Sequence, residues 1–145
     1  MAKTKTYDLE RFVTAQTEIY AAALSELKRG RKEGHWMWYI FPQLTGLGSS
    51  ATAKYYAIAN LEEAQDYLTH PLLGKRLREC CEALCALPGN DINEVLGYPD
   101  NLKLCSCMTL FENASDDPDV FVCVLQKFFG GRRDNVTVRL LEADR

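Results

Sequence analysis

The chemistry this chain could perform is concentrated at its two histidines, its two tryptophans and one glycine-serine turn. His35, Trp36 and Trp38 fall within GRKEGHWMWYIFPQLTGLGSS, residues 30–50, and His70 stands before Pro71 in HPLLGKRL. A titratable imidazole beside a pocket suits general acid or base work, so His35 and His70 are the catalytic candidates. Each also has a structural reading: His35 satisfies a buried backbone group, and His70 caps the helix that Pro71 begins. Two histidines are too few for most metal sites, and neither a metal nor another cofactor is expected. TGLGSS sets two glycines and two serines at a helix start, where converging backbone N–H groups and the helix dipole attract an anion. Gly46, Gly48 and Ser50, with Gln43 ahead of them, form the candidate phosphate seat. The same residues also make an ordinary glycine turn with a serine N-cap, and neither a Walker lysine nor the dinucleotide spacing accompanies them. Trp36 and Trp38, directly upstream, offer ring faces to a base or other planar group, or else plug the core. Arg76 and Lys103 are the candidate countercharges. Arg76 also suits packing on the flank of an apolar helix face, and Lys103 an ion pair with Asp100 one turn away. KRGRK, residues 28–32, reads as compensation of a helix C-terminus.

These residues must be positioned by helices, because helical signals run nearly throughout. Asp8 reads as an N-cap to one long first helix whose stripe of Leu9, Phe12, Val13, Ile19, Tyr20, Ala23, Leu24 and Leu27 ends at Gly30. HWMWYIFPQ follows as an extended connection. Alternation puts Trp36, Trp38 and Ile40 on one side and Met37, Tyr39 and Phe41 on the other, so the segment must be buried on both sides, and Pro42 holds Phe41 out of the helical region. Ser50 or Ser49 caps ATAKYYAIA, and Asn60 with Glu63 caps LEEAQDYL. Pro71 opens a third major helix with Leu73, Leu77, Cys80, Cys81 and Leu84 facing inward. Asp91 with Glu94 opens a short helix closed by Gly97, Pro99 and Asp100 start NLKLCSCMTLFEN, and Asp117 and Pro118 open DVFVCVLQKFF, ended by Gly130 and Gly131. Asp134 caps the last segment, NVTVRLLE; VFVCV and VTVRLL also carry strand propensity. The fold class is all-α: a single compact multihelical domain over residues 1–145, with an extended aromatic-rich connection after the first helix.

A chain of 145 residues buries roughly 68–70% of its unfolded surface, enough for a self-sufficient core. Its net charge of -3 argues against sequence-independent nucleic-acid binding, which depends on lysine and arginine releasing counterions from phosphates. MAKTKTYDLE has no apolar run of signal-peptide length, and nothing approaches the ~18 apolar residues of a membrane span; the expected location is cytoplasmic, away from the membrane. The six cysteines lie among leucines, valines and phenylalanines and read as buried free thiols rather than zinc ligands.

HWMWYIFPQLTGLGSS, HPLLGKRL and PDNLKLCSCMTLF, with YDLERFVTAQ and FFGGRRDNVTVRLL at the ends, are similar to the bacterial family known as domain of unknown function 1810. Some of its members are labelled calpastatin, whereas this apolar-rich composition is unlike that of a disordered protease inhibitor. The resemblance implies an all-helical fold and carries no activity. The positions that match its motifs include His35, Trp36, Trp38, Phe41, Gln43, Gly46, Gly48, Ser50, His70, Gly74, Arg76, Asp100, Lys103, Ser106 and Thr109. The chain departs from the pattern at Cys105 and Cys107, where arginine and serine are usual.

Two functions fit these residues. The first is a small-ligand domain, an enzyme or a binding module, acting on a phosphate-bearing metabolite such as a nucleotide or nucleotide sugar. Trp36 and Trp38 would stack, with TGLGSS, Arg76 and Lys103 holding phosphate. The second is a non-catalytic protein interaction module, in which Trp36, Trp38 and Phe41 form a hot spot for a protein partner. A concave pocket with converging polar groups favours the first, and a flat aromatic surface favours the second.

Overall fold

The apolar periodicity of the chain resolves into ten helices among the described residues, 6–143 of a computed structural model. In order they are α1 Glu10–Gln16, α2 Tyr20–Arg29, α3 Met37–Ile40, α4 Ala51–Tyr55, α5 Leu61–Thr69, α6 Leu73–Cys85, α7 Ile92–Val95, α8 Asp100–Ala114, α9 Asp119–Phe129 and α10 Asn135–Ala143. The one β-type pairing among the described residues is an isolated parallel bridge between Leu44 and Ile58. The fold is all-α, and VFVCV and VTVRLL are helical despite their β-branched residues, because each lays an apolar stripe on α6 or α8.

α8 is the axis of the molecule. Its residues Leu104, Cys107, Met108, Leu110 and Phe111 are fully buried, and α5, α9 and α10 pack around it. Such a helix is apolar on most of its circumference, as a core helix must be. α6 forms a second layer with α2, α5 and α9, presenting Leu73, Leu77, Cys80, Cys81 and Leu84 to the interior as their spacing predicts. No helix among the described residues is long and apolar enough to cross a membrane.

Several caps match their sequence signals. Ser50 Oγ accepts from Ala53 N at 3.1 Å, Asn60 Oδ1 from Glu63 N at 2.9 Å, Asp91 Oδ1 from Asn93 N at 2.9 Å and Asp134 Oδ2 from Thr137 N at 3.0 Å. Gly30 and Gly130 end α2 and α9 in the left-handed conformation.

The first helix departs from expectation. It is two helices, interrupted at residues 17–19, and Leu9 rather than Asp8 occupies the N-cap position of α1. Gln16, at the end of α1, is buried, and its amide donates to Tyr39 O at 2.7 Å and Tyr67 Oη at 3.1 Å while its Oε1 accepts from Arg76 at 3.3 Å. Thr17 turns its hydroxyl back onto Val13 O at 2.7 Å. The break lets α1 pack on α3 while α2 packs on α6.

The aromatic connection departs as well. Residues 37–40 form a helical turn, not an extended strand, so the buried set is Trp36, Met37, Ile40 and Phe41, while Trp38 and Tyr39 share the half-buried side. A spacing of one and four residues is helical, and the turn satisfies its own backbone: Ile40 N reaches Trp36 O at 3.1 Å and Phe41 N reaches Met37 O at 3.0 Å. Phe41, held out of the helical region ahead of Pro42, ends it with φ -126 and ψ 72. The thiols also divide: Cys80, Cys81 and Cys107 are buried, Cys85 and Cys105 are half-buried and Cys123 is exposed on the outer face of α9.

Candidate functional site

The segment that carries the candidate residues is anchored at both ends. Upstream, Glu26 on α2 reaches across the turn after Gly30, and its Oε1 accepts from Glu33 N at 2.7 Å, Gly34 N at 2.9 Å and Trp36 Nε1 at 2.9 Å. Burial raises the Glu26 pKa, but the N–H groups of Gly34, Glu33 and Trp36 outweigh it and hold the carboxyl below its ordinary range. Downstream, Ile58 N donates to Gln43 O and Thr45 N to Ile58 O, both at 2.8 Å, which fixes the course of residues 43–45.

Between these anchors a pocket of about 370 Å³ opens among the 43–50 loop, the first turns of α8 and the start of α10. Trp38, Gln43, Gly48, Ser50 and Lys103 line it, so five of the eight candidate ligand-binding residues meet in one place. Lys103 Nζ stands 5.2 Å from the centre of the Trp38 ring and 3.3 Å from Asp100 Oδ1. Asp100 Oδ2 in turn holds Lys32 Nζ at 2.9 Å, and Lys32 lies 5.2 Å from the Trp36 ring. Two lysines thus share one carboxylate on the indole side of the pocket, and Asp134 lines it as a second carboxylate. Among the described residues the Gln43 side-chain amide makes no hydrogen bond, and the backbone N–H groups from Gly46 to Thr52 donate to no protein acceptor.

The remaining candidates do not line this pocket. Trp36 is fully buried against Phe41, with its indole N–H committed to Glu26. Arg76 sits on α6 with its guanidinium 4.7 Å from the Tyr20 ring centre and bonded to Gln16, so it packs rather than faces the glycine-serine turn. His70 Nδ1 accepts from Leu72 N at 3.1 Å and Leu73 N at 3.3 Å, the capping role that Pro71 suggests. His35 is exposed, and its carbonyl accepts from the Tyr39 hydroxyl at 3.4 Å. Gly46 forms the positive-φ corner of the turn, against Leu140. With Trp36 and Phe41 buried, the exposed Trp36–Trp38–Phe41 hot spot of the interaction-module reading does not exist.

Two further residues of the pocket are Ser106, which the family motifs pick out, and Asp134, which they do not. Ser106, one turn after Lys103 on α8, lines the floor, its hydroxyl donating to Leu102 O at 3.2 Å. Their i, i+3 spacing places both on one face of α8. Asp134 reads in sequence only as a cap, and reaches the pocket because residues 132–134 are strapped to α8. Arg133 pairs with Glu112, and Asp134 N donates to Thr109 Oγ1 at 2.9 Å. Thr109, fully buried, passes its own hydroxyl proton to Cys105 O at 2.8 Å. The pocket brings together a ring face, a cation and amide groups without a protein acceptor among the described residues. A larger groove of about 480 Å³ between α2 and α6 has no aromatic ring in its lining, and its one cation, Lys28, stands with the carboxylates of Glu79 and Glu82.

A family model described as "Protein of unknown function (DUF1810)" matches residues 6–141. Among solved structures, the crystal structure of a conserved hypothetical protein from Mycobacterium tuberculosis superposes with a TM-score of 0.92 at 54% sequence identity, covering 94% of this chain and 97% of that one. No curated protein matches the chain.

Proposed function

The chain belongs to the DUF1810 family of proteins of unknown function, and we propose that it is a small-ligand domain whose ligand is a phosphate-bearing metabolite held in the Trp38–Lys103 pocket. The observation that carries this reading is the meeting of Trp38, Lys103 and the Gln43 amide in one concavity, joined by the loop whose N–H groups have no protein acceptor. A planar group lies along the indole, and the phosphate meets the Lys103 ammonium and the N–H groups of the 48–50 segment. A pocket of about 370 Å³ lies within the range of small-molecule sites, ~300–1,000 Å³. It matches a mononucleotide or sugar phosphate better than a protein segment.

The test is a thermal-shift panel of nucleoside monophosphates and diphosphates, sugar phosphates and inorganic phosphate against the native protein and Lys103→Ala. Ligand at a hundredfold excess over its dissociation constant stabilises by about 2.7 kcal/mol, which raises the melting temperature by several degrees in a chain of this size. The expected result is a shift in the native protein that Lys103→Ala abolishes. Lys32 remains on Asp100 in that variant, so the unliganded fold is preserved. A panel in which nothing shifts the native protein would end the proposal.

A further inference from the structure

We infer that Asp134 makes this pocket selective for a polyhydroxylated ligand, one whose phosphate is carried on a sugar with free vicinal hydroxyls. The inference rests on the proposed phosphate-bearing ligand and specifies the part of it that lies away from Lys103.

The carboxylate of Asp134 is used on one side. Its Oδ2 accepts from Thr137 N at 3.0 Å and from Thr137 Oγ1 at 2.5 Å, while Oδ1 makes no hydrogen bond among the described residues. The residue lines the pocket together with Ser106 and Lys103. A carboxylate that lines a pocket with one oxygen unused suits a donor on the ligand, because a group offering only acceptors would leave it unpaired and repelled. Phosphate is such a group at neutral pH, so the carboxylate directs phosphate toward Lys103 and leaves its own end for hydroxyls. A carboxylate takes the ribose hydroxyls of dinucleotides in unrelated folds for the same chemical reason. Ser106 Oγ gives its proton to Leu102 O and thereby keeps lone pairs to accept a second hydroxyl.

The position of Asp134 is fixed before any ligand arrives. Its backbone N–H is held by Thr109 and its carboxylate by Thr137, while the neighbouring Arg133 is paired with Glu112, also on α8. Lys103 lies on that same helix, six residues before Thr109. The cation and the carboxylate are therefore set at a constant separation by α8, as discrimination between a ligand and its deoxy analogue requires.

The experiment is calorimetric titration with matched pairs: adenosine 5′-monophosphate and its 2′,3′-dideoxy analogue, and ribose 5-phosphate and its 2-deoxy analogue. The native protein is expected to bind the hydroxylated member of a pair about tenfold or more tightly, the worth of a hydrogen bond to a charged group. Asp134→Asn keeps an oxygen for Thr137 but replaces the free acceptor with an N–H₂ donor, and is expected to erase that preference, so that the two members of a pair bind alike. Should Asp134→Asn fail to fold, the comparison of pairs on the native protein still decides the point. Equal binding of both members would overturn the role of Asp134 and leave the phosphate pocket standing. Binding of neither member of any pair, nor of any compound in the thermal panel, would overturn both.

Discussion

The indole N–H of Trp36 and the carboxylate of Glu26 meet at 2.9 Å, and the same oxygen takes two backbone N–H groups from the turn between them. One buried acid thereby ties α2 to the aromatic segment. The two tryptophans are consequently unequal. Trp36→Ala removes a fully buried ring and orphans the acid, and should cost about 3–5 kcal/mol in chemical denaturation. Trp38→Ala, at a half-buried site, should cost less than half of that and abolish ligand-induced thermal shifts. Equal costs would mean that Trp38 is core rather than pocket wall.

Glu26 also gives stability a pH dependence. Its carboxyl titrates below its ordinary value of 4.5 in the folded protein. The contribution is therefore complete above that value and is lost as pH falls through the lower folded-state pKa. Denaturation midpoints measured from pH 6 downward should fall below about pH 4.5 in the native protein, and fall less steeply in Glu26→Gln. Parallel acid limbs would show that other carboxylates govern the decline.

Gly74 sets the backbone of α6 close against that of α5. A Cβ there would stand 2.0 Å from Leu68 O, a backbone atom that cannot step aside. Gly74→Ala should destabilise by about 1–3 kcal/mol or more, although alanine is the better helix former. Calorimetry showing an unchanged melting temperature would mean that the two helices separate freely.

The thiols should react in order of exposure. Burial pushes Cys80 and Cys85 up to about 12 and Cys105 up to about 11, and holds Cys81 and Cys107 well above the ordinary thiol value. Cys123 lies exposed. Brief alkylation of folded protein at pH 8 should label Cys123 first and leave Cys80, Cys81 and Cys107 unmodified until denaturant is added, as read by peptide mass spectrometry.

Helices announced by a cap and an apolar stripe were legible in the sequence, and so was the inward face of α6, because both depend on residues close in the chain. The break after Gln16 was not. No glycine or proline marks it, and its cause is the distant pairing of Gln16 with Tyr39, Tyr67 and Arg76. The turn at 37–40 was misread because four apolar residues in succession satisfy a two-residue and a 3.6-residue period alike. Trp38, Gln43, Gly48, Ser50 and Lys103 could be selected by residue type, but the separation of Trp38 from Trp36 depended on the helical phase. Arg76 drew attention through its charge, which Tyr20 and Gln16 absorb. Asp134 entered the pocket through tertiary strapping that no local pattern encodes.

The hydroxyl of Thr109, bonded at once to Cys105 O and to Asp134 N, gives the two sides of the pocket different lifetimes. The amide of Asp134 is locked to the central helix and can exchange its hydrogen with solvent only when the strap to α8 opens, a motion that draws on the stability of the core. The amides of Gly46, Gly48 and Ser49 belong to exposed residues with no internal acceptor and exchange at rates near those of an unfolded peptide. Arrival of a ligand would therefore be written on one side only, as slowed deuterium uptake along residues 46–50 against an unchanging background at 134.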